Sequence, residues 1–400
     1  MLSREGTVLY TRTSQSVLRN SLSLYVHVPF CVKKCAYCDF ASSDDSGIPM
    51  GEYGAGVIRE MELRARLFTA SMAADTLYLG GGTPSLLPPE LVARFIGTAR
   101  EHYGLVSDAE ITLEANPGTV TPESLAGFRR AGVNRLSLGI QSFDDRMLKI
   151  LGRAHTSREA RDAVAAARGA GFDNLGIDLI HSLPGQTPDQ WQEELRQLLL
   201  LGPEHLSVYG LTLEVGTPLH RLREEGKLEL PDDDMGALMY RMTTDILGAA
   251  GYEQYEIANF ARPGRRSRHN QVYWRREPYL GFGAAAHSFL PMAPFGQRWH
   301  NPLDPAEYLG KISSGGLPLE DFMELSRRDA MAETFFLGLR TTDGVDTERF
   351  RESFGETVQQ VYGQEIEQLL GAGLLQRHGT RLAIPVPLLL LSNQILVKFV

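Results

Sequence analysis

Short runs of apolar and β-branched residues recur through the first half of the chain. Longer stretches separate them, in which apolar positions return every three or four residues. The short runs cover 24–28, 76–79, 110–113, 135–139, 175–179 and 205–209, and their length and composition predict strands. The stretches between them, 52–68, 89–102, 122–131, 157–169 and 188–200, are rich in Ala, Leu, Glu and Arg at helical spacing. Two of these open on Thr121-Pro122-Glu123 and Thr187-Pro188-Asp189, where proline sits in the first turn and its missing N–H costs nothing.

Strands alternating with helices predict a parallel sheet joined by right-handed crossovers. Six such units favour an α/β architecture of the incomplete (β/α)6 barrel type over a flat doubly wound sheet. The pattern changes past about residue 216. Residues 218–260 read as helices and a short strand leading back to the barrel, and 262–279 as a basic, aromatic loop. From about 325 the chain reads as a small α+β unit: helices from Arg327, Thr347 and Gln359, then β runs near 374–384, the order of a winged-helix module. The predicted divisions are an N-terminal extension over 1–20, the barrel over 21–260, a motif-bearing loop and connecting segment over 261–324, and the C-terminal unit over 325–400.

Composition narrows the class. A chain of 400 residues with 43% hydrophobic content and a net charge of -9 suits a globular protein and argues against a general nucleic-acid binder. A DNA-binding winged module would need a basic face on its helices, and with Glu352, Glu356, Glu365 and Glu367 these lack a concentrated one. No apolar run is long enough to cross a bilayer. Residues 386–400 are broken by Pro387, Ser392, Asn393, Gln394 and Lys398 and read as a buried terminal element. Arg4, Arg12 and Arg19 give the start a faint transit-peptide look, but Glu5 and the lack of an apolar core favour a cytoplasmic protein.

The chemistry begins with cysteine. All three cysteines of the chain fall within eight residues, as Cys31, Cys35 and Cys38. Three cannot form a disulfide framework, which also suggests a reducing compartment. Soft thiolates select an iron–sulfur cluster or zinc, and a closed zinc site would need a fourth ligand from elsewhere. Three ligands on a four-iron cube leave one iron open. The strand tips that follow carry Gly80-Gly81-Gly82-Thr83-Pro84, then Glu114-Ala115-Asn116-Pro117, then Gln141, then Asp178. Glycines allow close backbone approach. Any one of the polar tips could be a helix cap, but three in phase with the cysteine loop predict a pocket at the carboxyl ends of the strands.

The C-x3-C-x2-C loop resembles the radical S-adenosylmethionine (SAM) superfamily. That resemblance implies a [4Fe-4S] cluster on Cys31, Cys35 and Cys38, whose open iron is chelated by SAM and whose reduction releases a 5′-deoxyadenosyl radical. Leu24-Tyr25-Val26-His27-Val28-Pro29-Phe30-Cys31, the Gly81 stretch, the run from Leu136 to Phe143, and Ile177-Asp178-Leu179-Ile180 with Leu183-Pro184-Gly185 narrow it further. They are similar to the family of oxygen-independent coproporphyrinogen III dehydrogenase and its heme-chaperone relative, from about Ser21 to the C-terminus. The resemblance implies that Tyr25, Gly81, Glu114 and Thr212 contact the cluster-bound SAM. Tyr37, Gly82, Thr83, Gln141, Arg153 and Asp178 match positions that contact a second SAM in the dehydrogenase.

Two features favour the chaperone branch. Phe40 stands where the dehydrogenase has a fourth cysteine, and His269-Asn270-Gln271-Val272-Tyr273-Trp274 matches the heme-binding H-N-x-x-Y-W motif. Imidazole is a good axial ligand for heme iron, and Tyr273 and Trp274 offer flat apolar faces. Arg265, Arg266, Arg268, Arg275 and Arg276 surround the motif and would pair with the propionates. The competing view makes His269 and Asn270 ordinary loop residues and the arginines a solvated face. The resemblance implies heme as cofactor or cargo and heme-acceptor proteins, such as respiratory enzymes, as partners. It leaves open a homodimer and a peripheral membrane contact. The alternative function is the dehydrogenase reaction itself.

Overall fold

The structure is a computed structural model describing residues 21–45, 47–67, 72–292 and 294–399; the expected extension over 1–20 lies outside them. Six parallel strands, β1 (Ser21–Val28), β2 (Ala73–Gly81), β3 (Glu110–Ala115), β4 (Arg135–Gln141), β5 (Leu175–His181) and β6 (His205–Gly210), lie side by side in chain order. Period-two alternation gives each strand two different faces. Leu24, Val26, Leu77, Leu79, Ile111, Leu113, Leu136, Leu138, Ile177 and Leu206 are buried in one core with Val57, Met61, Phe95, Phe128 and Trp191 of the crossover helices. The other face carries Tyr25, His27, Thr76, Tyr78, Glu114, Arg135, Ser137, Asp178 and Ser207, so the interior of the barrel is polar.

The crossover helices are Met50–Leu67, Pro89–Tyr103, Pro122–Ala131, Ser157–Gly169 and Pro188–Leu201. Three start on a threonine capping box, at Thr121, Thr156 and Thr187, which satisfies donors that the first turn leaves free. Every predicted strand lies within an observed one, but all the observed strands except β1 run further at their carboxyl ends. Gly81, Glu114, Gln141 and His181 are ladder residues whose polar or glycine character hides them from an apolar pattern.

The barrel stays open. β7 (Glu253–Gln254) and β8 (Asn259–Ala261) pair antiparallel beyond β6. On the other side β9 (Tyr279–Phe282) pairs parallel with β1, and β10 (His287–Leu290), β11 (Gln297–His300) and β12 (Glu320–Glu324) follow antiparallel. Among the described residues the sheet has twelve strands in the order β12-β11-β10-β9-β1-β2-β3-β4-β5-β6-β8-β7. The segment expected to connect two domains thus builds one flank of the sheet. The expected loop over 262–279 likewise holds a helix, Arg268–Trp274, with Ser267 as its cap.

Helices Arg327–Gly338, Thr347–Phe354 and Val358–Gly371 precede β14 (Gln376–His378) and β15 (Arg381–Ala383), and β13 (Val345–Asp346) completes a three-stranded sheet in the order β13-β15-β14. This unit has its own core around Phe335, Phe350, Ile366 and Leu382. The Phe335 and Phe399 rings stack 4.6 Å apart, so the terminal segment packs inward as its broken apolar run suggested. Among the described residues no helix is long and apolar enough to cross a membrane.

Candidate functional site

The three cysteines lie on the loop that leaves β1. Lys34 folds this loop back on itself, its Nζ donating to the carbonyls of Phe40 at 3.0 Å and Ser42 at 3.1 Å. All three thiols are partly exposed. Cys31 Sγ accepts from Thr83 Oγ1 at 3.7 Å, and Cys35 Sγ from Arg153 Nη1 at 3.3 Å. Burial pushes the Cys38 thiol up, and the charges of Cys35 and Cys31 add to the push. Among the described residues no three His, Cys, Asp or Glu side chains are drawn together tightly enough to grip a single ion. Three partly exposed thiols on one loop, two of them receiving hydrogen bonds from Thr83 and Arg153, are the soft donor set that an iron–sulfur cluster takes.

Glycine is required beside the thiols. A Cβ on Gly82 would stand 2.6 Å from the Phe30 carbonyl oxygen and 3.0 Å from Cys31 Sγ. Gly81 has φ +115°, and a Cβ there would press on the His27 ring at 2.7 Å. Gly81 N–H donates to Glu114 Oε2 at 3.0 Å, and Tyr78 donates its hydroxyl proton to Glu114 Oε1 at 2.6 Å. Burial pushes the Glu114 carboxyl up to about 7; these two bonds pull it down, and the charge of Asp178 pushes it further up. Tyr25 stacks on Tyr78 at 6.2 Å, and its hydroxyl lies 3.0 Å from His27 Nδ1.

Across the barrel mouth, Arg153 gathers three strands. Its Nη2 donates to Asn116 Oδ1 at 2.5 Å and to the Gly139 carbonyl at 2.6 Å, while its buried Nε has no protein partner. Asn116 in turn donates to Thr83 Oγ1 at 3.0 Å. Asp178 accepts from Ser137 Oγ at 3.3 Å, and burial holds its carboxyl above the usual range. Gln141 takes φ +70° at a register shift between β4 and β5. Such backbone strain is expected where a side chain must be aimed. Tyr37 lies close to Cys35, Cys38, Arg153 and Asp178, and burial raises its hydroxyl pKa. Thr212 follows β6 and is exposed, as are Phe40, at 64%, and Val32, at 61%.

The structure thus brings Tyr37, Gly81, Gly82, Thr83, Glu114, Gln141, Arg153 and Thr212 to the same end of the sheet as the cysteines, with Tyr25 and Asp178 midway along β1 and β5, facing the interior. Unpartnered Arg153 Nε, two acidic side chains and glycine backbone form a set that suits a ligand bearing ammonium and carboxylate groups, as SAM does. Tyr78 and His27 were missed from sequence. Their signal was their inward parity with Tyr25, whose register partner in the ladder is Tyr78.

The H-N-x-x-Y-W segment sits elsewhere. Its helix closes the opposite, amino-terminal end of the barrel, where Glu110 at the start of β3 accepts the N–H groups of Arg268 at 3.2 Å and His269 at 3.1 Å. His269 is 1% exposed. Thr76 Oγ1 lies 2.7 Å from its Nδ1 and Tyr273 Oη 2.8 Å from its Nε2. Burial pushes this imidazole down to about 3, and Arg135 adds to the effect, so the ring is neutral. It is not held out to solvent as a waiting axial ligand. Asn270, Tyr273 and Trp274 are half-buried. The neighbouring arginines, expected to pair with propionates, each face a carboxylate in this structure. Arg265 faces Asp173 at 4.0 Å, Arg266 meets Asp343 at 3.0 Å, Arg268 meets Asp75 at 3.5 Å, Arg275 meets Asp343 at 3.5 Å and Arg276 meets Glu333 at 3.0 Å.

Comparison with known proteins agrees with this architecture. Residues 25–198 match the model of the radical SAM superfamily, and residues 325–385 match the HemN C-terminal domain. The chain is 35% identical over 378 residues to the heme chaperone HemW of Bacillus subtilis, covering 94% of this chain and 98% of that one. It is 37% identical over 360 residues to the mouse mitochondrial radical S-adenosyl methionine domain-containing protein 1, covering 88% and 81%. Coproporphyrinogen III oxidase (HemN) from Escherichia coli, a radical SAM enzyme, superposes with a TM-score of 0.80 at 25% identity, covering 95% of this chain and 90% of that one. The chain belongs to the HemW family within the radical SAM superfamily.

Proposed function

We propose that this protein binds heme and passes it to acceptor proteins, holding a [4Fe-4S] cluster on Cys31, Cys35 and Cys38 with SAM on the open iron. The observation that carries the reading is Phe40. A fourth cysteine there would mark the dehydrogenase, and the position instead exposes an aromatic ring at the barrel mouth. The family relatives that bear the name heme chaperone, from Bacillus subtilis and Lactococcus lactis, support it.

When bound, cluster and SAM supply one-electron cleavage of a sulfonium. The chain's own residues do the rest. Glu114 and the Gly81 backbone would hold the SAM amino group, with Tyr25 of β1 and Thr212 beyond the end of β6 as its further contacts. Tyr37, Gly82, Thr83, Gln141, Arg153 and Asp178 are the residues that a second SAM would meet. His269 would hold the heme iron, with Asn270, Tyr273 and Trp274 beside it, and to do so its imidazole would have to leave Thr76 or Tyr273.

The test is a hemin titration of anaerobically reconstituted protein. A shifted Soret band that His269→Ala weakens is the expected result; undiminished binding after loss of the 269–274 segment would refute the heme assignment. The similarity to HemN over nearly the whole chain favours a second reading, the dehydrogenase reaction. Formation of protoporphyrinogen from coproporphyrinogen with SAM and a reductant, on the same sample, would establish that reading.

A further inference from the structure

The heme motif and the SAM pocket share a column of side chains inside the barrel. His269 packs face to face on Tyr78, with ring centroids 5.0 Å apart and 27° between the planes. Tyr25 stacks on the same two rings, 6.2 Å from Tyr78 and 6.4 Å from His269. The Tyr78 hydroxyl holds one oxygen of Glu114, and the other oxygen takes the Gly81 N–H. Three side chains therefore link the floor of the barrel to the glycine turn beside the cysteines.

We infer that His269 is a positioning residue for the SAM pocket, setting Glu114 through Tyr78, so that heme iron and SAM draw on the same imidazole and oppose each other. This rests on the assignment of Glu114 and Gly81 to SAM and of His269 to heme. The physical reason is geometric. Both ring nitrogens are engaged inside the barrel, and neither can bond iron without giving up Thr76 or Tyr273. A ring withdrawn toward an external porphyrin also leaves the face of Tyr78. Tyr78 then gains freedom to turn, and the carboxyl group it holds loses a buried hydrogen bond. SAM bound at Glu114 favours the closed column in the same measure, because such coupling is reciprocal.

The experiment uses the full chain carrying its oxidised cluster, so that SAM binds without turnover. SAM affinity is measured by equilibrium dialysis with and without hemin, and hemin affinity from the Soret band with and without SAM. Each ligand is expected to weaken the other by the same factor, about tenfold. Tyr78→Phe keeps the stacked ring and removes only the hydroxyl, so SAM affinity falls about tenfold while hemin affinity stays at the wild-type value. His269→Gln loses affinity for both. SAM affinity unmoved in both variants, with no antagonism between the ligands, overturns the inference; loss of hemin binding in His269→Gln would then still uphold the heme assignment. Weakened SAM binding with undiminished hemin binding in His269→Gln supports the positioning role and removes the heme assignment instead. A thermal melt of Tyr78→Phe near the wild-type midpoint rules out misfolding as the cause.

Discussion

Glu114 is a carboxyl that accepts two donors yet is pushed up to about 7 by burial. Its ordinary value is 4.5, so between those two values the folded chain keeps a proton that the unfolded chain has released. Stability therefore falls as pH rises through that window and is level on either side of it. Glu256, buried with one oxygen unpartnered and also raised to about 7, contributes a second share. Melting temperatures of cluster-free protein between pH 5 and 7 should fall with pH, and Glu114→Gln should flatten part of that slope. An identical slope in the variant would show that Glu114 titrates normally. At the thiols the expectation is simpler. Alanine at Cys31, Cys35 or Cys38 should abolish the brown absorbance and the iron content of reconstituted protein, since no other cysteine can substitute. These residues were legible because polar groups at the tips of apolar strands stand out. The links that Arg153 makes to Cys35, Asn116 and Gly139 were not, because they depend on which strand tips the fold sets side by side.

The motif helix shows what an element can hide. Arg268–Trp274 has no apolar stripe, and its helical form is imposed by the Ser267 cap and by Glu110, a carboxylate 158 residues earlier in the chain than Arg268. A local pattern could only read it as a loop. Glu110 satisfies two free N–H groups and faces the positive end of the helix dipole. Glu110→Ala should therefore cost about 2 kcal/mol in urea unfolding, and Glu110→Asp should recover part of it. No change in the midpoint would mean that the helix is held by its ring contacts alone. β9 to β12 escaped notice for a related reason. They are strands of four or five residues, and their partners, rather than their own composition, make them strands.

At the scale of the molecule, the alternation of strands and helices gave away the barrel, and the change of pattern near residue 325 gave away the second core. The joint between them was out of reach of sequence. Glu333, on the first helix of the C-terminal unit, meets Arg276 at 3.0 Å and Arg298 at 2.8 Å, one beside the motif helix and one on β11. Arg276 is largely buried, so losing its partner leaves a charge in poor solvent. Glu333→Ala should destabilise the protein by about 3 kcal/mol. It should also split a single calorimetric transition into two as the units uncouple; one unsplit, unshifted transition would contradict this.

The two ends of the barrel set a final condition. His269 meets β2 at Thr76, while the cysteine loop meets Gly82, the residue that follows this strand. Six residues of extended chain put about 20 Å between those points. Hydrogen-atom abstraction works only at van der Waals contact. A porphyrin carried at the floor would on that reading be freight, out of direct reach of a radical made at the mouth, and incubation with SAM and a reductant should leave its side chains unchanged.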